Sequence, residues 1–158
     1  MTQLSPGAQK VQDAIHALGF KNTIIEHTRT TRSAKDAAEA IGCTVGQIAK
    51  SLIFRTHDTG RAVLVITSGI NRVNETRLGD FLGEALEKAD ADYVMAQTGF
   101  VIGGVPPLGH KNKIITLIDE DLLQYNEIWA AGGTPNAVFQ VSPEELLKMT
   151  GGQPVSVK

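Results

Sequence analysis

The sequence predicts an α+β fold in which a mixed, largely antiparallel sheet is surrounded by helices. Short β-branched runs alternate with segments that carry the apolar period of amphipathic helices. Two of these runs, Lys50 to Thr56 and Ala62 to Thr67, flank the sequence HDTG, whose aspartate and glycine are typical of a hairpin turn. No repeat, linker or low-complexity tract interrupts the 158 residues, so we expect residues 1–158 to form one compact domain.

The helices are predicted from capping residues and apolar stripes. Ser5 and Pro6 begin a helix that runs to Leu18 and is followed by Gly19. Serine, threonine or asparagine begins most of the other candidates, and glycine ends several of them. The further predicted helices cover residues 33–42, 45–48, 75–89, 90–99 and 143–151.

The strands are predicted from runs of β-branched residues. The run AVLVIT, at residues 62–67, is apolar nearly throughout, which is typical of a central strand covered on both faces. The further predicted strands cover residues 23–27, 113–118, 128–131 and 137–141, and the acidic sequence DEDL is interpreted as a turn.

Composition limits the partners and the compartment. With 15 basic and 17 acidic side chains, the chain has no general attraction to nucleic acid, so we expect no DNA partner. Contact with RNA must come from a local patch, for which the candidates are Lys10, Lys21, Arg29 and Arg32. No apolar run is long enough for a membrane span. The absence of a signal-like start and the single cysteine, Cys43, indicate the cytoplasm.

The common catalytic motifs are missing from the sequence. It contains no GxxxxGK[ST], GxSxG or HExxH pattern and no pair of cysteines, so we expect neither a metal nor another cofactor. The histidines are scattered, and only His110 lies beside an unusual segment. His110 could bind an anion or donate to a loop carbonyl, and the sequence identifies no partner that would make it a general base.

That unusual segment is QTGFVIGGVPPLGH, from Gln97 to His110. Glycine lets the backbone approach a ligand closely, and proline stiffens a turn and removes a donor. The segment is therefore either a pocket wall made of main-chain groups or an ordinary connection between strands.

Lys50 is the second candidate, because of its place on a predicted strand. Alternation puts Lys50 on the same face as Leu52 and Phe54, so its ammonium group enters the domain from the rim if those residues face the core. The alternative is a strand-end lysine that lays its stem on apolar surface and reaches water. Near main-chain amides, such a lysine would suit a negatively charged or oxyanionic group.

Four blocks of sequence, SAKDAAEAIG, QIAKSLIFR, TGFVIGGVPPLGH and IWAAGGTPN, together resemble the YbaK/ProX family of aminoacyl-tRNA editing domains. The resemblance covers the chain from about Thr30 to Leu147. It implies a compact domain that hydrolyses the ester between a wrong amino acid and a tRNA, often a prolyl tRNA. It also implies a free-standing, trans-acting protein whose partners are mischarged aminoacyl-tRNA and prolyl-tRNA synthetase.

The resemblance also implies which residues form the site. Lys50, Gly103 and Gly104 are then the catalytic candidates, with the two glycine amides as oxyanion donors. Some members carry serine before the second glycine pair, whereas this chain has Ala131, so a hydroxyl is missing there. The substrate-binding candidates are Phe100, Ile102, Pro106, Pro107, Gly109, His110, Ala131, Gly132 and Gly133.

The leading hypothesis is therefore a trans-editing deacylase for a prolyl tRNA carrying a small wrong amino acid such as alanine or cysteine. Water would attack with help from backbone donors, the ribose hydroxyl and Lys50. The alternatives are a non-catalytic module that binds tRNA ends or a synthetase, and an esterase that acts on free amino-acid esters.

Overall fold

The computed structural model describes residues 3–31 and 33–158. Arg32, one of the candidates for RNA contact, lies outside the described residues. The α-helices are α1 (Pro6–Ala17), α2 (Ala34–Ile41), α3 (Glu75–Leu82), α4 (Ala91–Thr98) and α5 (Pro143–Thr150). Short 3-10 helices cover Val45–Gln47 and Glu120–Gln124. The strands are β1 (Ile24–Glu26), β2 (Ile48–Thr56), β3 (Ala62–Ser68), β4 (Leu86–Lys88), β5 (Ile115–Asp119), β6 (Ile128–Ala131), β7 (Ala137–Val141) and β8 (Gln153–Val155).

All the described strands belong to one mixed sheet. Its order is β1-β7-β6-β2-β3-β5-β8, and β4 pairs with β2 beside that path. The pairs β1–β7, β6–β7, β2–β3 and β2–β4 are antiparallel, and β2–β6, β3–β5 and β5–β8 are parallel. The predicted α+β fold with a mixed, largely antiparallel sheet is confirmed, including the hairpin of β2 and β3.

Helix starts follow the caps predicted from sequence. Ser33, Asn74 and Ser142 each accept a hydrogen bond from the backbone N–H three residues further on. Asp90 does the same at the start of α4. Ser5 precedes α1 without a capping bond from its side chain. The capping bonds of Ser33, Asn74, Asp90 and Ser142 satisfy backbone amides that have no partner inside the helix.

One helix prediction was wrong. Residues 75–89 were expected to form a single helix, but α3 ends at Leu82 because Gly83 takes a φ of 85°. Residues Leu86–Lys88 then form β4, which pairs with Phe54 to Thr56 of β2. The sequence EALEKA is compatible with a helix, and pairing with a buried strand overrides that preference. Two smaller differences are that DEDL begins a 3-10 helix and that β8 was not predicted.

The core lies on both faces of the sheet. Every residue of β3 is buried, which confirms the prediction of a central strand covered on both sides. On one face, Ile53 and Leu64 pack in the cluster that also contains Ile15 of α1. On the other face, Phe54 packs in the cluster that contains Leu78 of α3. The middle of β2 is therefore held rigidly between two layers.

Candidate active site

The sheet has a break beside β2. β6 pairs with β2 only at Ile48 and Ala49, and β4 pairs with it only from Phe54 to Thr56. Within the part of the chain that the structure describes, residues 50–53 therefore have no strand partner on this edge, although β3 pairs with them on the other. A cavity of about 510 Å³ occupies the break, which is within the range of roughly 300–1,000 Å³ typical of small-molecule sites.

Several parts of the chain besides β2 form the cavity walls. Helix α2 contributes the small side chains of Ala34 and Ala37, and β6 contributes Trp129 and Ala131. The loop after α4 contributes Ile102, Gly103 and Val105. These walls are mostly apolar, so they suit a ligand with a small apolar part.

Two lysines supply the charge of the cavity. Lys50 is half-buried in its wall, on the same sheet face as Leu52 and Phe54, as the strand alternation predicted. Lys88 of β4 is exposed at the wall. Neither ammonium group has an ion pair or hydrogen bond with any described residue. No carboxylate or imidazole lines the cavity within residues 3–31 and 33–158, so the site is suited to an anion.

Asp119 is a buried carboxylate in the central sheet, and its oxygens already accept hydrogen bonds from other groups of the protein. Its oxygens accept hydrogen bonds from the side chains of Thr67 and Asn71 and from the backbone N–H groups of Ser68 and Asp121. It does not line the cavity. Asp119 therefore holds the end of β3 and is not placed to act as a base.

The two catalytic glycine candidates differ in their surroundings. Gly103 lines the cavity with a φ of 91°, a conformation that favours glycine. Gly104 does not line it, and its N–H donates to the carbonyl of Val101 at 3.0 Å. A Cβ at Gly104 would lie 2.8 Å from the Thr134 backbone. Gly104 therefore lets the two glycine loops touch, and its amide is not free for a substrate.

Most of the other substrate-binding candidates do not line the cavity. Ile102 and Ala131 line the cavity. Phe100 is buried in the core, with the Lys10 ammonium 5.0 Å from its ring centroid. The remaining candidates are not among the residues that line the cavity, and they are Pro106, Pro107, Gly109, His110, Gly132 and Gly133. They shape the loops that carry the wall.

His110 forms a hydrogen bond within its own loop and does not line the cavity. Its Nε2–H donates to the carbonyl of Pro106, and the N···O distance is 2.6 Å. Burial lowers the pKa of His110 below its ordinary value of 6.5, and the bond to Pro106 opposes that shift. The neutral ring is therefore favoured in the folded protein.

A pH dependence of stability follows for His110. Because the unfolded chain binds this proton more tightly, the contribution of His110 should be full above pH 6.5 and lost as pH falls toward the lowered pKa. We expect wild type to lose more thermal stability between pH 7.5 and pH 5 than His110→Gln, whose amide can still donate to Pro106. Thermal unfolding at both pH values measures this, and equal losses in the two proteins would contradict it.

Sequence reasoning missed several residues of the cavity. Lys88 was not predicted as a site residue, because residues 75–89 were expected to form a helix. Ser51 was not among the predicted site residues, yet it lines the cavity. Thr31 and Ser33 also line it. Trp129 could have been found, since it belongs to the block IWAAGGTPN.

Comparison with known proteins identifies the family. The family profile described as an aminoacyl-tRNA editing domain matches residues 28–149. The chain belongs to the aminoacyl-tRNA editing domain family. This confirms the predicted family and the enzyme class, that of aminoacyl-tRNA deacylases.

Several known proteins match most of the chain. The proposed Cys-tRNA(Pro)/Cys-tRNA(Cys) deacylase EbsC of Enterococcus faecalis is 28% identical over 153 residues, which are 96% of this chain and 92% of EbsC. The uncharacterized protein YwhH of Bacillus subtilis is 28% identical over 80% of each chain. A crystal structure of a proposed trans-editing enzyme for prolyl-tRNA synthetase has 46% identity and a TM-score of 0.94, and the match covers 99% of both chains.

Part of the chain also matches longer proteins. The proline–tRNA ligase of Thermoanaerobacter sp. is 33% identical over 101 residues, which are 62% of this chain and 17% of the ligase. Within the part of the chain that the structure describes, no helix is long and apolar enough to cross a membrane. The same residues contain no group of three or more His, Cys, Asp or Glu side chains placed to hold a metal ion.

Proposed function

We propose that the protein is a trans-editing deacylase that releases a small wrong amino acid, such as alanine or cysteine, from a prolyl tRNA. The observation that carries the proposal is the cavity at the break in the sheet, which joins small apolar walls to two lysines that pair with none of the described residues. The names given to EbsC and to the 46% identical structure support the choice of tRNA. The reaction would take place in the cytoplasm, with prolyl-tRNA synthetase as a partner.

Selection by size gives this reaction a purpose. A synthetase pocket separates substrates that differ by one methylene by only about 1–3 kcal/mol, so smaller amino acids are charged by mistake. A second site that admits only small side chains removes them. Walls made of Ala34, Ala37 and the Gly103 loop leave little room to adapt, because the neighbouring Pro106 and Pro107 are buried. A sharp size limit follows.

The proposed chemistry is ester hydrolysis by water. Oxygen of water bonds to the ester carbonyl carbon, the bond from that carbon to the ribose oxygen breaks, and the proton passes to the ribose oxygen. Gly103 N–H and the Lys50 ammonium group stabilise the negative charge that develops on the carbonyl oxygen. Because no lining residue among those described is a carboxylate or imidazole, the neighbouring ribose hydroxyl of the substrate would orient the water.

A second function is favoured by that same lack of a general base. The protein could bind the charged end of a tRNA, or a synthetase, without hydrolysis. Lys50 and Lys88 would then serve as phosphate ligands only.

Single-turnover assays separate the two functions. Prolyl tRNA carrying alanine, cysteine or proline is mixed with excess protein, and loss of the ester is followed over time. We expect alanyl or cysteinyl ester to be lost at least tenfold faster than prolyl ester. Saturable binding without loss of any ester would reject hydrolysis and support the binding module.

A further inference from the structure

The break in the sheet leaves polar backbone groups facing the cavity. Pairing with β6 ends at Ala49 and pairing with β4 begins at Phe54. Five residue steps separate these positions, which is about 17 Å along an extended strand. An open strand edge presents N–H and C=O groups that a neighbouring strand would otherwise pair.

The direction of these groups follows from the β2–β3 ladder. At the two ends of β2, the Ile48 carbonyl accepts from Gly69 N–H at 2.8 Å and Thr56 N–H donates to the Arg61 carbonyl at 2.9 Å. Both even-numbered residues therefore direct backbone groups toward β3. In a regular antiparallel pair the direction alternates from one residue to the next. Ser51 and Ile53 consequently direct their N–H and C=O groups toward the break.

The side chain of Ser51 adds a further polar group at the break. Its hydroxyl is buried and has no hydrogen-bond partner among the described residues. Ser51 also lines the cavity. A buried hydroxyl without a partner destabilises a folded protein, so a hydroxyl at this position is consistent with pairing to a ligand.

We propose that the aminoacyl group of the substrate fills the break as a single strand residue, antiparallel to β2 and in register with Ser51. Its α-amino group donates to the Ser51 carbonyl and hydroxyl oxygens, and its ester carbonyl accepts from Ser51 N–H. This inference rests on the proposed function. Ser51 N–H then serves as a main-chain donor to the developing oxyanion, in addition to Gly103.

Lys50 decides the direction of the substrate. In the antiparallel orientation the carboxyl end of the aminoacyl group points toward Lys50, so the ester and the tRNA lie beside that ammonium group. In the parallel orientation the ester would point toward Ile53, away from Lys50. The antiparallel orientation therefore agrees with the role proposed for Lys50. It also makes a free α-amino group part of what the site recognises.

Hydrogen exchange tests the pairing directly. The probe is adenosine whose 3′-oxygen is replaced by an amide nitrogen carrying an alanyl group, which cannot be hydrolysed as an ester. With saturating probe, we expect exchange of the Ser51 amide, followed by NMR, to slow at least tenfold, and exchange of the Leu52 amide, which is already paired with β3, to stay unchanged. The matched probe with a propionyl group lacks the amine and should protect less. Unchanged exchange at Ser51 with saturating alanyl probe would overturn the proposal.

Ser51→Ala tests the hydroxyl independently. Because it removes an unpaired buried group, the variant should unfold at the same temperature as wild type or higher. Its kcat/KM for alanyl-tRNA should fall about tenfold, whereas its kcat/KM for propionyl-tRNA should match that of wild type. Ser156→Ala, outside the cavity, is the control and should change kcat/KM for neither substrate.

The outcomes separate the two proposals. The pairing would be overturned if Ser51→Ala lowered kcat/KM equally for alanyl-tRNA and propionyl-tRNA. It would also be overturned if the variant unfolded at a lower temperature without a loss of kcat/KM that depends on the amine. Either result would leave the deacylase function standing. Failure of wild type to hydrolyse any aminoacyl-tRNA would reject both.

Discussion

Lys50→Ala is expected to lower kcat/KM for hydrolysis of mischarged tRNA by about 10²–10³, the effect of removing one donor to a developing oxyanion. Lys50 is half-buried at the cavity and has no partner among the described residues, so its charge is available to the substrate. The same lack of partners means that the variant should fold normally. Steady-state kinetics with alanyl-tRNA and thermal unfolding measure the two effects.

Two controls define the role of Lys50. Lys50→Arg keeps the positive charge and should recover part of the activity, because a guanidinium group is larger and differently shaped. Lys88→Ala removes the other lysine at the cavity, which is exposed, and should mainly raise KM. Full activity in Lys50→Ala would contradict the mechanism.

Gly133→Ala should destabilise the protein by about 3 kcal/mol, which combines left-handed backbone strain with overpacking. Gly133 has a φ of 103°, and a Cβ there would lie 2.5 Å from the carbonyl oxygen of Gly7 in α1. Neither the helix backbone nor the loop can move without disturbing the core around Val11. Chemical denaturation measures the free energy of unfolding.

Gly42→Ala is the matched control for this substitution. Gly42 has a φ of 87°, and no atom of the described residues lies within 4 Å of the position of a Cβ there. Gly42→Ala therefore introduces the backbone strain without the overlap, and it should lower the free energy of unfolding by about 1 kcal/mol. If the two variants were equally stable, the close contact between the second glycine loop and α1 would not matter to the fold.

Much of the fold could be predicted from local signals. Ser33, Asn74 and Ser142 cap helices because their side-chain oxygens fit backbone amides only a few residues away. The β2–β3 hairpin and the face of Lys50 also follow from short-range chemistry and alternation. The strand β4 could not be predicted, because EALEKA has helical propensity and becomes a strand only beside β2.

The roles of the glycines could be predicted only in part. Sequence resemblance treated Gly103, Gly104, Gly132 and Gly133 as one pocket. The structure separates them, because Gly103 lines the cavity while Gly104 and Gly133 lie where a Cβ would meet backbone of another segment. Contacts between loops that are far apart in sequence decide this.

By itself, the sequence determined the fold class and the editing family, and it predicted a site at Lys50. These properties depend on residue types within short windows and on blocks of residues in a fixed order. Only the tertiary structure decided that β6 and β4 stop short of each other along β2, and that Ser51 and Lys88 join Lys50 at the resulting cavity. A gap in a sheet is set by where neighbouring strands end, and this depends on long-range pairing that no short window contains.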